Sequence, residues 1–197
     1  MAESRRILIV QGHPDSPTPH FCHALAAAYA EGARAAGHEV RLVDVAALDF
    51  PVLRSKAEWE QGALPPTLAD AQRDIGWCQH LVLFFPLWLG GMPALLKAFL
   101  EQVARPGFAL PRPGEGKINS KLLAGRSARI VVTMGMPALV YRWYFRAHSV
   151  KALERSILGL VGFAPIHETL VGMIEGLSVA DRERWLGKLR ALGRRAD

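Results

Sequence analysis

Three short stretches gather side chains that can bind an anion, wall a planar ring or steady a developing charge. The first is Gly12-His13-Pro14-Asp15-Ser16-Pro17-Thr18-Pro19. Ser16 and Thr18 can donate to phosphate oxygens. A helix start just beyond, near Phe21, adds free backbone N–H groups and partial positive charge. The same hydroxyls also suit plain helix capping. The second stretch is Pro86-Leu87-Trp88-Leu89-Gly90-Gly91-Met92-Pro93. Trp88 beside two glycines can wall one face of a planar ring, and the glycines allow close backbone approach. A tryptophan there also serves as a cap on a core. The third is Thr133-Met134-Gly135-Met136-Pro137, followed by Tyr141, Trp143, Tyr144 and His148. The polar tips of Tyr141 and His148 can bond to a ring or substrate, and they need partners if buried. For Trp143 and Tyr144, packing of the connection against a sheet is an equal reading. Cys22, near a helix start, is a candidate nucleophile with a lowered pKa, although no phosphate loop surrounds it.

These stretches sit where strands end. Arg6–Gln11 reads as a β-branched apolar strand, and a helix pattern follows from Phe21 to Ala36, closed by Gly37. Glu39–Val45 is a second strand. Residues 49–66 read as irregular, and Leu68–Cys78 as a helix. Leu81–Phe85 is apolar without alternation, as a parallel strand covered on both faces requires. Pro93–Val103 is a helix with Leu95, Leu96, Phe99 and Val103 on its inner side. A long Pro- and Gly-rich excursion occupies 106–120. Ala128–Thr133 and Ile166–Val171 are the last strands, and Val150–Leu160 and Ala180–Leu192 the last helices. Strand and helix alternate five times, which argues for one α/β domain over residues 1–197 with a parallel sheet and helices on both faces. Right-handed crossovers then bring the loops after the strands to one edge.

Composition narrows the function. The 197 residues carry a formal net charge of +6, and many basic residues fall between Arg182 and Arg195. No nucleic-acid motif accompanies them, so a solvated basic surface is the expectation and a nucleic-acid partner is not. Cys22 and Cys78 belong to no CxxC pair, and no metal-ligand spacing appears; His13, His20 and His23 read as surface residues rather than zinc ligands. The opening apolar run is too short for a signal peptide or membrane span, which points to a cytoplasmic protein. The first loop lacks G-x-G-x-x-G, the chain has no P-loop lysine, and there is no G-x-S-x-G elbow.

Together the three stretches resemble the flavodoxin-like NAD(P)H:quinone oxidoreductase family, which includes quinone reductases ancillary to potassium efflux systems. The matching segments are Gly12-His13-Pro14 with Phe21 to Leu25, Phe85-Pro86-Leu87-Trp88 with Gly91 to Lys97, Thr133 through Tyr141, and Gly159 to Phe163. The resemblance implies a flavodoxin-like three-layer sandwich with strand order 2-1-3-4-5. It also implies a flavin, FAD in preference to FMN, across the carboxyl ends of the strands. By resemblance, His13, Thr18, Phe21 and Cys22 surround its phosphate and ribityl chain. Pro86, Leu87, Trp88 and Leu89 line the ring, with Thr133, Met134, Gly135 and Met136 on the other loop. Tyr141 and His148 resemble the tyrosine and histidine near flavin and substrate. The implied reaction takes a hydride from NADPH or NADH to a quinone or similar acceptor, in a homodimer. Two alternatives stand beside it: a flavin-binding regulatory subunit associated with a membrane transporter, and a hydrolase using Cys22. The chain departs from the family in Cys22, where asparagine is frequent, and in Thr133-Met134-Gly135-Met136, where the family has Thr-Thr-Gly-Gly. The step from Tyr141 to His148 is one residue longer.

Overall fold

The computed structural model describes residues 3–112, 114, 115 and 120–197. Its centre is a five-stranded sheet of β1 (Arg6–Gln11), β2 (Glu39–Asp44), β3 (His80–Pro86), β4 (Ser127–Thr133) and β5 (Ile166–Val171). Every pairing is parallel and the order is β2-β1-β3-β4-β5, as expected. The register aligns the strand ends. Gln11 lies opposite Asp44 and Phe84, Pro86 opposite Thr133, and Thr133 opposite Val171. All the loops that follow strands therefore leave from one edge.

Side chains alternate between two cores, as a pleated strand demands. Leu8, Val10, Leu83, Phe85, Ile130 and Val132 face one layer. That layer includes α3 (Ala69–Trp77) and α4 (Ala94–Val103), with Leu96 and Phe99 fully buried. Ile7, Ile9, Val82, Phe84 and Val131 face the other, where α1 (Phe21–Ala35) and α8 (Val179–Arg195) contribute Leu25, Tyr29, Leu189 and Leu192. Each large apolar side chain buried this way contributes roughly 1.5–3 kcal/mol. In β3 every residue is buried, which matches its unbroken apolar run.

On the second layer α1 and α8 meet backbone to backbone. A Cβ at Gly32 would overlap the Arg190 carbonyl, and one at Gly193 the Tyr29 carbonyl. Beneath them, polar side chains enter the amino-end half of the sheet. Arg129 of β4 donates to Thr169 Oγ1 (2.7 Å) and to Asp197 (2.8 Å). His80 Nδ1 lies 2.8 Å from Ser127 Oγ. Its ring stacks over Tyr29 at 6.4 Å, and burial pushes its pKa down to about 3.

Local departures from expectation have local causes. The span 49–66 contains a short helix, α2 (Lys56–Gln61), rather than irregular chain alone. Ser55 caps it by accepting from the Glu58 amide, while the Glu58 carboxylate accepts from the Arg54 amide. The helix expected over 150–160 is present as one continuous run, α6 (His148–Ala152) passing through a π-helical stretch (Leu153–Leu158) into α7 (Gly159–Val161). A further short helix, α5 (Ala138–Trp143), precedes them. Arg146 and Ala147, both in the left-handed region, separate α5 from α6. Of the excursion over 106–120, residues 113 and 116–119 lie outside the described residues.

Candidate functional site

The loops after β1, β3 and β4 are tied together at their roots. The Gly12 amide donates to Phe84 O (2.7 Å), and the Leu87 amide to Thr133 O (2.8 Å). The His13 ring then meets Trp88 edge-on, with 6.0 Å between centroids. One short backbone path thus joins residues from β1, β3 and β4 around the sheet edge.

In the first loop His13 is buried, at 6% exposure. Its amide donates to Gln11 Oε1 and its Nδ1 accepts from the Asp15 amide, both at 3.1 Å. Burial, then repulsion from His20 and His23, holds its pKa down at about 4. Ser16 is not free for a phosphate as expected, because its hydroxyl is bonded to the Asp44 carboxylate at the end of β2. Thr18 lies exposed, its amide donating to Asp15 Oδ1 (3.2 Å). The Asp15 carboxyl is held down to about 2, first by its bond to His20. Phe21 opens α1 half-buried, with the Arg182 guanidinium 5.1 Å above its ring. Cys22 is buried and its thiol lies 3.5 Å from Gln11 Oε1. Burial pushes that thiol up to about 12. The hydrolase expectation fails here: a nucleophilic cysteine needs a lowered pKa, and this one is raised. The amides of Phe21 and Cys22, in the first turn of α1, remain the electropositive groups of this corner.

The second loop is a tight turn. Trp88 and Gly91 exchange backbone bonds, each at 2.9 Å. Between them Leu89 (φ 46°) and Gly90 (φ 79°) both take positive φ, the signature of a primed turn. The turn lifts Trp88 half out of the surface and leaves Leu89 fully exposed. Pro86 is buried at the end of β3, and Leu87 is half-buried. Gly91 lies against Ser149 of α6, which brings the start of that helix beside the turn.

The third loop leaves two amides open. The Met134 amide is committed to Val171 O (2.9 Å), and Met136 O accepts from Met173 (3.2 Å). Gly135 and Met136 have no backbone acceptor for their amides among the described residues. Met134 is buried, Gly135 exposed and Met136 half-buried. Thr133 is buried, and its hydroxyl lies near the Cys22 thiol without a well-formed bond. Tyr141 is buried on α5, its hydroxyl near the Val150 amide and the Ser149 hydroxyl but well aligned with neither, and burial raises its pKa. His148 begins α6 and is exposed. The structure therefore separates the two residues by environment, one sealed and one in solvent. The aromatic run does not pack on the sheet: Trp143 is 76% and Tyr144 80% exposed.

What sequence reasoning missed is the imidazole cluster. His13 and His20 stack at 3.9 Å, and His23 lies 5.1 and 5.6 Å from them. The spacing of His20 and His23, three residues apart at a helix start, was the available signal. A cavity of about 250 Å³ opens beside His23, lined also by Gln11, Ala30 and Asp44. Among the described residues no group of His, Cys, Asp and Glu has metal-binding geometry.

Comparison with known proteins agrees with this architecture. The family model described as "Flavodoxin-like fold" matches residues 5–192. A ribosyldihydronicotinamide dehydrogenase-like protein of Penicillium crustosum is 26% identical over 160 residues, 66% of this chain and 57% of that protein. NAD(P)H dehydrogenase [quinone] 1 of Cavia porcellus is 27% identical over 129 residues, 55% of this chain and 46% of that protein. The chain thus spans about half the length of these curated relatives. The NAD(P)H:quinone oxidoreductase of Methanothermobacter marburgensis superposes with a TM-score of 0.79 at 23% identity, covering 98% of this chain and 96% of that one. An FMN-dependent NADH-azoreductase from Bacillus anthracis, solved with FMN, gives 0.71 at 13% identity, covering 97% and 98%. Both structural likenesses speak for the fold. With its parallel sheet, its strand order and a family match over nearly its whole length, the chain belongs to the flavodoxin-like fold family.

Proposed function

We propose that this chain is a flavin-dependent oxidoreductase that carries a hydride from NADPH or NADH to a quinone or similar aromatic acceptor. The observation that supports it is the joined strand edge, where three loops meet with polar groups left unpartnered. Buried hydroxyls without partners are rare in folded proteins, because each costs about 1–3 kcal/mol. The open Gly135 and Met136 amides, above the buried Thr133 hydroxyl, suit the polar rim of a heterocycle, and Trp88 suits its flat face. The residues present therefore fit a flavin.

His13, Phe21 and Cys22 would hold the phosphate side, Cys22 through its backbone amide rather than its thiol. Thr18 would contribute from the exposed rim. Pro86, Leu87, Trp88 and Leu89 would line the ring, with Thr133, Met134, Gly135 and Met136 opposite. When bound, the flavin supplies hydride acceptance and donation. The chain would orient it, and the open Gly135 and Met136 amides would stabilise negative charge that develops on it. We assign Tyr141 and His148 to the reaction, His148 as the residue that can reach the acceptor and Tyr141, buried as it stands, as a positioning residue. We read the cofactor as FAD, with FMN as the alternative that the azoreductase neighbour shows for this fold.

A homodimer and a cytoplasmic location belong to the same proposal. Leu139, Val140, Trp143, Tyr144 and Phe145 form an exposed apolar patch of the kind that partners cover. Among the described residues no helix is long and apolar enough to cross a membrane. The test is reconstitution with FAD and with FMN, followed by absorbance at about 450 nm and NADPH oxidation with a simple quinone. Binding of neither flavin would overturn the proposal. Flavin binding without quinone turnover would favour a regulatory subunit of a membrane transporter instead. Light scattering that gives a monomer would remove the homodimer.

A further inference from the structure

Three imidazoles and one carboxylate crowd the entry to α1, and their hydrogen bonds fix where the protons sit. His13 Nδ1 accepts from the Asp15 amide (3.1 Å), and His23 Nδ1 accepts from the His20 amide (3.2 Å). A ring nitrogen that accepts carries no proton. Each of these two neutral rings therefore holds its single N–H at Nε2. The Nε2 of His23 is buried and has no partner. His20 Nε2 lies 2.9 Å from Asp15 Oδ2. An unpartnered buried donor beside a stacked imidazole pair, next to the open amides of a 15-residue helix, is a setting that lacks an acceptor.

Two carboxylates, Asp15 and Asp44, lie near the cluster and partly offset the burial that keeps His13 and His23 neutral. Asp15 is bonded to His20 and to the Thr18 amide. Asp44, at the end of β2, is occupied by Ser16 and the Ala46 amide. From α8, Arg182 adds positive charge above Phe21. From the β3 turn only the neutral Trp88 faces His13. Cys22 is a neutral thiol. Stacked rings 3.9 Å apart repel strongly if both become cations. An arriving anion would remove that obstacle.

We propose that His20 and His23 act with His13 as phosphate-binding residues of the flavin site, and that this cluster takes up a proton as the phosphate binds. The proposal rests on the flavin reading above. It sets a specificity: phosphorylated flavins are held by the cluster and riboflavin is not. Its electrostatics are consistent. His13 is held low by burial and by its two neighbours, and His23 is lowered by burial first and by His20 next. Both are therefore neutral near pH 7 without ligand. A dianion favours the charged form and raises both. The bound state then carries more protons than the free state, so affinity falls as pH rises between the two pKa values.

The experiment is titration calorimetry on the 197-residue chain freed of flavin, with FAD, FMN and riboflavin at pH 6, 7 and 8. Two buffers of different ionisation enthalpy give the proton count. FAD is the cleanest probe, because its pyrophosphate does not titrate in this range, whereas the FMN monoester gains charge near pH 6. Expected is a FAD affinity that falls roughly fivefold or more from pH 6 to pH 8, with uptake of about half to one proton at pH 7. Riboflavin binding should be flat. His23→Gln should halve the proton uptake and flatten the FAD profile, and His20→Asn is the second variant should the first misfold. FAD binding with no proton uptake and a flat profile overturns the inference but keeps the flavin reading. An equal slope for riboflavin also overturns it, since the titration would then belong to the ring. Failure of all three flavins to bind at any pH removes the flavin reading itself.

Discussion

Helix α1 lives in two regimes. Toward its carboxyl end, Tyr29 and Gly32 touch the α8 backbone with no room for a methyl group. At its amino end, His20 and His23 stand half-buried beside His13, and one ring nitrogen lacks a partner. The same 15 residues serve as a tight structural seam at one end and an unfinished polar corner at the other. Close packing fixes geometry and leaves nothing for a ligand. Unpartnered donors cost stability and reserve binding capacity. Stability and ligand recognition should therefore respond to substitutions at opposite ends of one helix.

The largest effect should come from Gly193→Val. Its side chain would overlap the Tyr29 carbonyl, and backbone must move, at a cost of about 3 kcal/mol or more. Urea denaturation measures it, and an unchanged midpoint would show that the seam is not tight. Acid should act on the same end. His80 stacks on Tyr29 and has its pKa depressed from 6.5 to about 3 by burial. The unfolded chain binds the proton more readily, so this stability is full above pH 6.5 and is lost as pH falls toward 3. Lowering pH from 7 to 5 should cost about 2 kcal/mol through His80. Denaturation of His80→Asn over the same range should show a flatter dependence, and an equal slope would clear His80 of the effect.

Fold and site were legible to different depths for physical reasons. β3 declared itself because a strand buried on both faces has no polar face to interrupt it. α2 was missed although Ser55 and Glu58 spell a capping box, because six residues without a buried side chain carry no periodicity. The strand-end loops were located correctly, since they follow from where strands stop. Which donors stay unpartnered was not legible. That depends on register: Asp44 reaches Ser16 only because β2 and β1 end level. The break between α5 and α6 had no glycine to mark it, because Arg146 and Ala147 take the left-handed turn themselves.

Smaller effects test the ligand-facing regime. Trp88→Ala should weaken flavin retention by about 1–3 kcal/mol while the stability of the flavin-free protein holds, since half the indole is already in solvent. Equal flavin affinity, read by fluorescence titration, would take Trp88 off the ring. Tyr141→Phe should have the smallest effect on the fold. It removes a buried hydroxyl whose neighbouring polar groups, the Val150 amide and the Ser149 hydroxyl, are not well aligned with it, so stability should change by less than about 1 kcal/mol. Stopped-flow traces of flavin-saturated protein separate reduction by NADPH from reoxidation by a quinone. A slowed phase would keep Tyr141 in the reaction, and unchanged rates in both would assign it to packing alone.

The seam between α1 and α8 also sets an order of events during synthesis. α1 is complete by residue 35, but the helix that covers its Tyr29 and Ala33 face starts only at Val179. For more than a hundred intervening residues the nascent chain carries an apolar stripe with no native cover. Contacts this distant along the chain close late and slow the final collapse. A ribosome stalled before α8 would display that stripe to chaperones, and a chain truncated there would be an aggregation hazard.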